Sequence, residues 1–263
     1  MSSILRRLVD YHVHSFHSID GHSSIDEMCS QAVRLGLAEI GFCDHVDFTP
    51  NGLGSIDYER YSEELDKARS QYGGELTIRK GIEVDYNRTY HVQIEEWLDG
   101  KHFDFLLGSV HYVDDFIFDL GRKPGMSAET MIRKYYTRVR DAVESKLFNI
   151  VGHFDIIRGY MPTDQDQISL ASDIIDSTFE NMIANGVYLE INSWRRTDQE
   201  PFPCKDLIQR YLKKEGKLFS LGSDAHSWQQ LAIGIIQVRD LLLNLKPRNM
   251  RMLFEQVPNL PWA

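Results

Sequence analysis

Apolar and polar positions along this chain repeat one theme: a short apolar run, often β-branched, and then a longer amphipathic stretch. The runs predict strands at 6–13 (RRLVDYHV), 38–45 (AEIGFCDH), 76–84 (LTIRKGIEV), 103–111 (FDFLLGSVH), 147–153 (LFNIVGH), 186–192 (GVYLEIN) and 217–226 (KLFSLGSDAH). The stretches between them predict helices. SSIDEMCSQAVRLGL carries Ser24 and Glu27 at capping-box spacing. SIDYERYSEELDKARSQYGG ends at glycines, as helices often do. SAETMIRKYYTRVRDAVES, QISLASDIIDSTFENMIANG, CKDLIQRYLKKEG and SWQQLAIGIIQVRDLLLNL show helical spacing. Strands alternating with helices imply an α/β fold with a parallel sheet and short crossovers. Seven such units close more naturally into a barrel than into an open sheet.

Length and composition add bounds. A chain of 263 residues suits one α/β barrel, so a single domain is expected over 1–263. Hydrophobic residues at 42% and charged residues at 26% are ordinary for a soluble globular protein. Cys29, Cys43 and Cys204 form no CxxC pair, which fits a reduced, cytoplasmic setting. The opening MSSILRRLVDYH has no sustained apolar segment of the kind a signal peptide needs. No run approaches the ~18 apolar residues of a membrane span, so no membrane partner is expected. A net charge of -10 argues against nucleic acid as a partner. It leaves room for an anionic substrate, because bound cations and a few arginines reverse the local sign.

The chemistry sits at the ends of the predicted strands. The segment LVDYHVHSFHSIDGHSS holds His12, His14, His17 and His22. Later strands end in Asp44-His45, in Glu83 and Asp85, in His111, in His153 and Asp155, in Glu190 and Asn192, and in Asp224 and His226. In a parallel barrel these ends open on one face, where active sites gather. Residues at i and i+2 share a side of a strand, which pairs His12 with His14 and Asp224 with His226. Imidazole and carboxylate without thiolate suit Zn, Mn or Fe. The donors exceed one tetrahedral site, so two or three ions are expected, with a carboxylate bridging between them. Such a site activates water near neutral pH and clamps an oxyanion, which points to hydrolysis at phosphorus.

With these residues assembled, the chain resembles the polymerase-and-histidinol-phosphatase (PHP) superfamily of metal-dependent phosphoesterases, and within it the histidinol-phosphate phosphatases. The stretches that carry the resemblance are DYHVHSFHSID, IGFCDHVDF, GIEVDY, FDFLLGSVHYVD, NIVGHFDIIRGY, LEIN and LGSDAHS. It implies a distorted (β/α)7 TIM-like barrel with three divalent metal ions at its C-terminal mouth. One ion would be held by His12, His14, Glu83 and Asp224. Glu83 would bridge to a second, also held by His111 and His153. Asp20, His45 and His226 would hold the third; some relatives carry histidine where Asp20 stands. Arg158 in GHFDIIR is expected to reach the substrate phosphate. A second arginine is expected after LEIN, where this chain is shortened and offers Arg195 and Arg196, Arg195 being preferred.

The implied activity is a phosphomonoesterase acting on L-histidinol phosphate in histidine biosynthesis. Glu83, Asp224, His45 and Arg158 are the residues expected at the reaction itself, with a metal-bridging hydroxide attacking phosphorus in line. The alternatives are another phosphomonoester (phosphotyrosine, a nucleotide or a sugar phosphate), or an amidohydrolase-type reaction. Asp44, Asp155 or a metal-bound water is the candidate proton donor to the leaving group. Glu190 is expected either at the amino or imidazole end of the substrate or in the barrel rim. His17 and His22 are expected as solvent-exposed loop histidines.

Overall fold

A computed structural model describes residues 8–50, 52–161, 166–194, 200–245 and 247–254. Its strands are β1 (Leu8–Val13), β2 (Leu37–Phe42), β3 (His45–Val46), β4 (Thr77–Asp85), β5 (Phe105–Ser109), β6 (Tyr112–Val113), β7 (Phe116–Ile117), β8 (Ile150–Val151), β9 (Tyr188–Asn192), β10 (Leu218–Gly222) and β11 (Arg251–Met252). The helices that matter for the site and its support are α1 (Ile25–Leu35), α2 (Tyr58–Tyr72), α3 (His91–Leu98), α4 (Ala128–Ser145), α5 (Ile157–Tyr160), α6 (Gln167–Leu170), α7 (Ser172–Asn185), α8 (Lys205–Lys213) and α9 (Ile235–Leu245). The capping box at Ser24 and Glu27 is present at the start of α1.

One parallel sheet runs in the order β1-β2-β4-β5-β8-β9-β10-β11, with β3 also paired to β4. It curls until β1 meets the end of β10. Val13 bridges Ala225, the His14 N–H donates to the Ala225 carbonyl at 2.8 Å, and the Asp224 N–H donates to the His12 carbonyl at 2.8 Å. A buried carboxylate locks this seam: Asp10 accepts from the Ser223 N–H at 2.9 Å and the Ala232 N–H at 3.1 Å. The distorted α/β barrel expected from the alternation is therefore the observed fold.

Apolar side chains pack the sheet and its helices in two clusters. One cluster packs Tyr135, Phe154, Phe179, Tyr211 and Phe219 beneath α4, α7 and α8. The other packs Met28, Phe42, Tyr61, Leu65 and Ile82 beneath α1 and α2. Each fully buried side chain of this size contributes roughly 1.5–3 kcal/mol.

Three local departures from the predicted elements bear on the site. The second predicted strand breaks at Cys43-Asp44, and β3 resumes with His45 paired opposite Glu83. The break is held by Asp44, which accepts from the Ser15 N–H at 2.7 Å, the Ser15 hydroxyl at 2.9 Å, the Ser18 N–H at 3.0 Å and the Ser18 hydroxyl at 2.8 Å. An unpredicted antiparallel hairpin, β6–β7, turns at Asp114 and Asp115, both at positive φ. Asp-Asp lacks the glycine that usually announces such a turn. β11, also unpredicted, pairs with β10 at the far end of the sheet order.

Replacing Asp10 by Ala removes the acceptor of the His12, Ser223 and Ala232 backbone N–H groups and of the Ser223 hydroxyl, at a cost of roughly 2–4 kcal/mol. Urea unfolding should show a lower midpoint with an unchanged slope; an unaltered midpoint would remove Asp10 from the closure of the barrel.

Candidate metal centre

The C-terminal strand ends open on one side and bring the expected donors together. His12 lies on β1 and His14 just beyond it, His45 on β3, and Glu83 on β4. His111, His153, Asp224 and His226 follow β5, β8 and β10, and Asp20 comes from the loop between β1 and α1. Two of them sit in left-handed backbone, His153 at φ 21° and Asp224 at φ 55°. Non-glycine residues pay for that conformation with strain of about 1–3 kcal/mol, which is typical of functional positions.

Glu83 is at the centre. Its Oε2 lies 3.2 Å from His12 Nε2, 3.4 Å from His14 Nε2 and 3.1 Å from His45 Nδ1. Its Oε1 lies 3.0 Å from His153 Nε2 and 3.9 Å from His111 Nε2, and accepts from the Ser109 hydroxyl. Asp224 Oδ1 is 3.2 Å from His14 Nε2 and 3.6 Å from His12 Nε2. Asp20 Oδ2 is 3.1 Å from His226 Nε2 and 3.5 Å from His45 Nε2.

Among the described residues, four groups have donor atoms close enough to share an ion: His12–His14–Glu83, Glu83–His111–His153, His12–His153–Asp224 and His14–His45–His226. His14 thus joins His45 and His226, with Asp20 reaching that pair from the loop. The donor chemistry fits divalent cations. The rings of His45 and His226 stack on His14 at 4.4 and 4.2 Å, a crowding of imidazoles that a cation shared between their nitrogens relieves. Asp20 Oδ1 is buried without a hydrogen-bond partner, as suits an atom that takes a cation. The nearby thiol of Cys43 is buried and donates to the Tyr11 carbonyl, so it is not a competing ligand.

The charges divide within the cluster. Burial opposes a proton on His12, but Glu190, then Glu83 and Asp224, outweigh it and hold the group well above the usual imidazole range. Burial is likewise overcome at His45 by Glu83 and Asp20, at His153 by Glu83, and at His226 by Asp20 and Asp224. Burial, with His226 and His45, pushes His14 down to about 3. Burial overcomes the upward pull of Glu83 at His111 and, helped by His153 and His45, pushes it down to about 3. Glu83 and Asp224 resist the upward push of burial because the imidazoles hold both carboxyls well below the usual range.

A second layer orients the donors. Glu190 Oε1 lies 2.6 Å from His12 Nδ1, and its Oε2 accepts from the His153 N–H at 2.6 Å. It is fully buried behind His12, away from the cleft. A carboxylate on Nδ1 fixes the ring so that Nε2 faces the cluster. Gly222 makes room for this pair, since a Cβ there would stand 2.3 Å from Glu190 Oε1 and 2.4 Å from His12 Cβ. Asn192 Nδ2 donates to Glu190 Oε2 at 3.2 Å.

A cleft of about 140 Å³ opens over the cluster. One half is Asp20, His45, Glu83, His111, Asp224 and His226; the other is Leu53, Ile117, Phe118, Ile156, Tyr160 and Trp194. Arg158 is outside this lining. Its Nε donates to Asp155 Oδ2 at 3.0 Å, its Nη2 donates to the Pro201 carbonyl at 2.8 Å, and its guanidinium covers the Phe202 ring. Arg195 and Arg196 lie outside the described residues. His22 is exposed, but His17 is not the solvent-exposed histidine expected: its ring is covered, 3.1 Å from Glu64 and edge-on to Tyr61. The apolar half of the cleft was missed in the sequence, because its residues come from four segments and, beyond Ile156 and Tyr160 in GHFDIIRGY, fall in no motif.

A curled parallel sheet with a multi-imidazole, multi-carboxylate cluster at its mouth defines a metal-dependent hydrolase. Comparison with known proteins is specific about the family. Residues 10–194 match the PHP domain, and the chain belongs to that family. It is 27% identical to the histidinol-phosphatase of Lactococcus lactis over 242 residues, covering 89% of this chain and 90% of that protein. It is 29% identical over 237 residues to a probable histidinol-phosphatase of Deinococcus radiodurans, covering 83% of this chain and 86% of the relative. Its fold superposes on the crystal structure of histidinol phosphate phosphatase from Lactococcus lactis, complexed with Zn, L-histidinol and phosphate, with a TM-score of 0.83. That match has 26% identity and covers 94% of this chain and 95% of the other.

Two outcomes are expected. Imidazoles whose pKa is raised must give up protons to bind a cation, so loading with Zn near pH 7 should release protons, and affinity should keep rising with pH past the ordinary imidazole value of about 6.5 until the raised values are passed. Calorimetry in buffers of different ionisation enthalpy counts the protons, and zero release would contradict the charge division above. Glu190→Gln should weaken ion binding by about 10–100-fold with the fold retained, read as metal content after dialysis beside a thermal melt.

Proposed function

We propose that this chain is a metal-dependent phosphomonoesterase that hydrolyses L-histidinol phosphate to L-histidinol and phosphate, as a cytoplasmic enzyme of histidine biosynthesis whose single domain spans residues 1–263. The observation that carries the reading is the division of Glu83: one carboxylate oxygen faces His12, His14 and His45, the other faces His153 and His111. A bridging carboxylate between neighbouring ions requires that arrangement. The family membership and the full-length relatives give the reaction its substrate. Buried, unpaired Cys29, Cys43 and Cys204 fit a reducing compartment.

Three ions are assigned: one to His12, His14, Glu83 and Asp224, one to Glu83, His111 and His153, and one to Asp20, His45 and His226. Zn, Mn and Fe all suit these donors; the Lactococcus relative was crystallised with Zn. Bound ions supply an activated water and offset the charge that develops on the phosphoryl oxygens.

The protein's own groups do the rest. Glu190 fixes the tautomer of His12, and Asp44 fixes the Ser15–Ser18 turn that leads to Asp20. Asp44 has both oxygens engaged by Ser15 and Ser18. Asp155 is committed through Oδ2 to Arg158 and the Cys204 N–H. Neither lines the cleft, so both are assigned positioning roles rather than proton donation. Arg158 is assigned to the substrate phosphate, which it meets by exchanging the Pro201 carbonyl for a phosphoryl oxygen, and Arg195 is assigned as its partner.

Purified protein should release phosphate from histidinol phosphate, lose that activity to a chelator and regain it with Zn or Mn. Better turnover of phosphotyrosine, nucleotides or sugar phosphates would overturn the substrate. Glu83→Gln should lower kcat by about 10³-fold or more together with metal content; a variant that keeps both removes the bridge. Arg158→Ala should cost about 100-fold in kcat/KM, with metal content unchanged.

A further inference from the structure

The candidate ligands occupy one half of the cleft, and the other half is apolar and aromatic. Its rings form a continuous ladder. His111 lies 6.3 Å from Phe118, Phe118 lies 5.6 Å from Tyr160, Tyr160 lies 5.5 Å from Trp194, and Trp194 lies 5.8 Å from Phe202. The Arg158 guanidinium covers that last ring at 4.9 Å. The ladder therefore runs from a candidate ligand to the arginine assigned to phosphate. It is assembled from separate segments: Phe118 follows the β6–β7 hairpin, Tyr160 ends α5, and Trp194 follows β9. Trp194 stands in left-handed backbone at φ 32°, and its N–H is held by Asn192 Oδ1 at 2.8 Å. A tryptophan held in that conformation is placed, not merely tolerated. Phe118 is buried, whereas Tyr160 and Trp194 are half-buried and border the cleft.

We propose that Tyr160 and Trp194, backed by Phe118, are the specificity wall of this enzyme, selecting the planar ring of the leaving alcohol by stacking on its face. The inference rests on the phosphatase reading and deepens it. Among the described residues, every carboxylate and imidazole lining the cleft belongs to the ion-binding half, so recognition on the other half runs mainly through aromatic faces and apolar contact. Aromatic faces attract flat rings in offset or edge-on arrangements, and more strongly still a ring that carries positive charge. An imidazole satisfies both conditions, a phenyl ring the first only, and a branched alkyl group neither.

The test uses the metal-loaded protein and three esters that share one phosphorylated amino alcohol and differ only in side chain: L-histidinol, L-phenylalaninol and L-leucinol phosphate. The wild type should favour both ring-bearing esters over leucinol phosphate by about tenfold in kcat/KM. Trp194→Leu should shrink that preference to about twofold, and Trp194→Phe should restore it. Calorimetric binding of the three free alcohols in the presence of inorganic phosphate should give the same order without turnover. Equal treatment of the phenylalaninol and leucinol compounds by the wild type overturns the wall, as does a preference that survives in Trp194→Leu. The wild-type arm decides even where that variant does not fold. Ordered binding of the alcohols without phosphate release from histidinol phosphate would instead overturn the phosphatase reading and leave the wall standing.

Discussion

The fold depends on burying a carboxylate, Glu83, among imidazoles at the mouth of a barrel. An isolated carboxylate at that depth would be expensive, and burial alone would drive it to take up a proton. The rings of His12, His45 and His153 reverse that outcome, and Glu83 stays charged. The same exchange raises His12, His45 and His153, so carboxylate and imidazoles support one another. An ensemble of this kind is a charge balance that cations can enter by displacing protons. Chemistry and stability are therefore set by the same contacts.

The sheet makes this balance possible through its closure. β1 meets the end of β10 through the Val13–Ala225 bridge and the Asp10 carboxylate, at the point where His12, His14, Asp224 and His226 leave the strands. Residues more than two hundred positions apart are thereby fixed by backbone hydrogen bonds rather than by loops. Rigid support of this type is what a multidentate site requires, because small misplacements of a donor cost much of its effect. The strained backbone at His153 and Asp224 is tolerated because the surrounding ladder over-determines it.

Much of this was legible in the sequence, for a physical reason. A parallel strand that ends at the active face must place its functional residue at its C-terminal end, so period, strand type and chemistry coincide in stretches such as GSVH and GSDAH. Where function depends on contact across segments, the sequence was silent. Glu190 reads equally well as a substrate contact or a rim residue; only its position behind His12 shows the support role. Asp10 precedes the HxH pair without any pattern that links it to Ser223 and Ala232. His17 looked like loop polarity because Glu64, its partner, sits on a helix nearly fifty residues away. The β6–β7 hairpin went unread because Asp114 and Asp115 adopt positive φ without glycine.

The two halves of the cleft place different demands on sequence. The ion-binding half needs particular atoms at particular distances, so it admits few residue types and stands out as motif. The aromatic half needs only flat, polarisable area, which Phe, Tyr and Trp supply from any segment that reaches the cleft. Chemistry at phosphorus is thereby separated from the choice of alcohol: the strands fix the first, while a hairpin, a short helix and Trp194, two residues beyond β9, build the second. A family organised in this way can change substrate without disturbing its metals, because the wall can be rebuilt while Glu83 and its imidazoles stay where the sheet holds them.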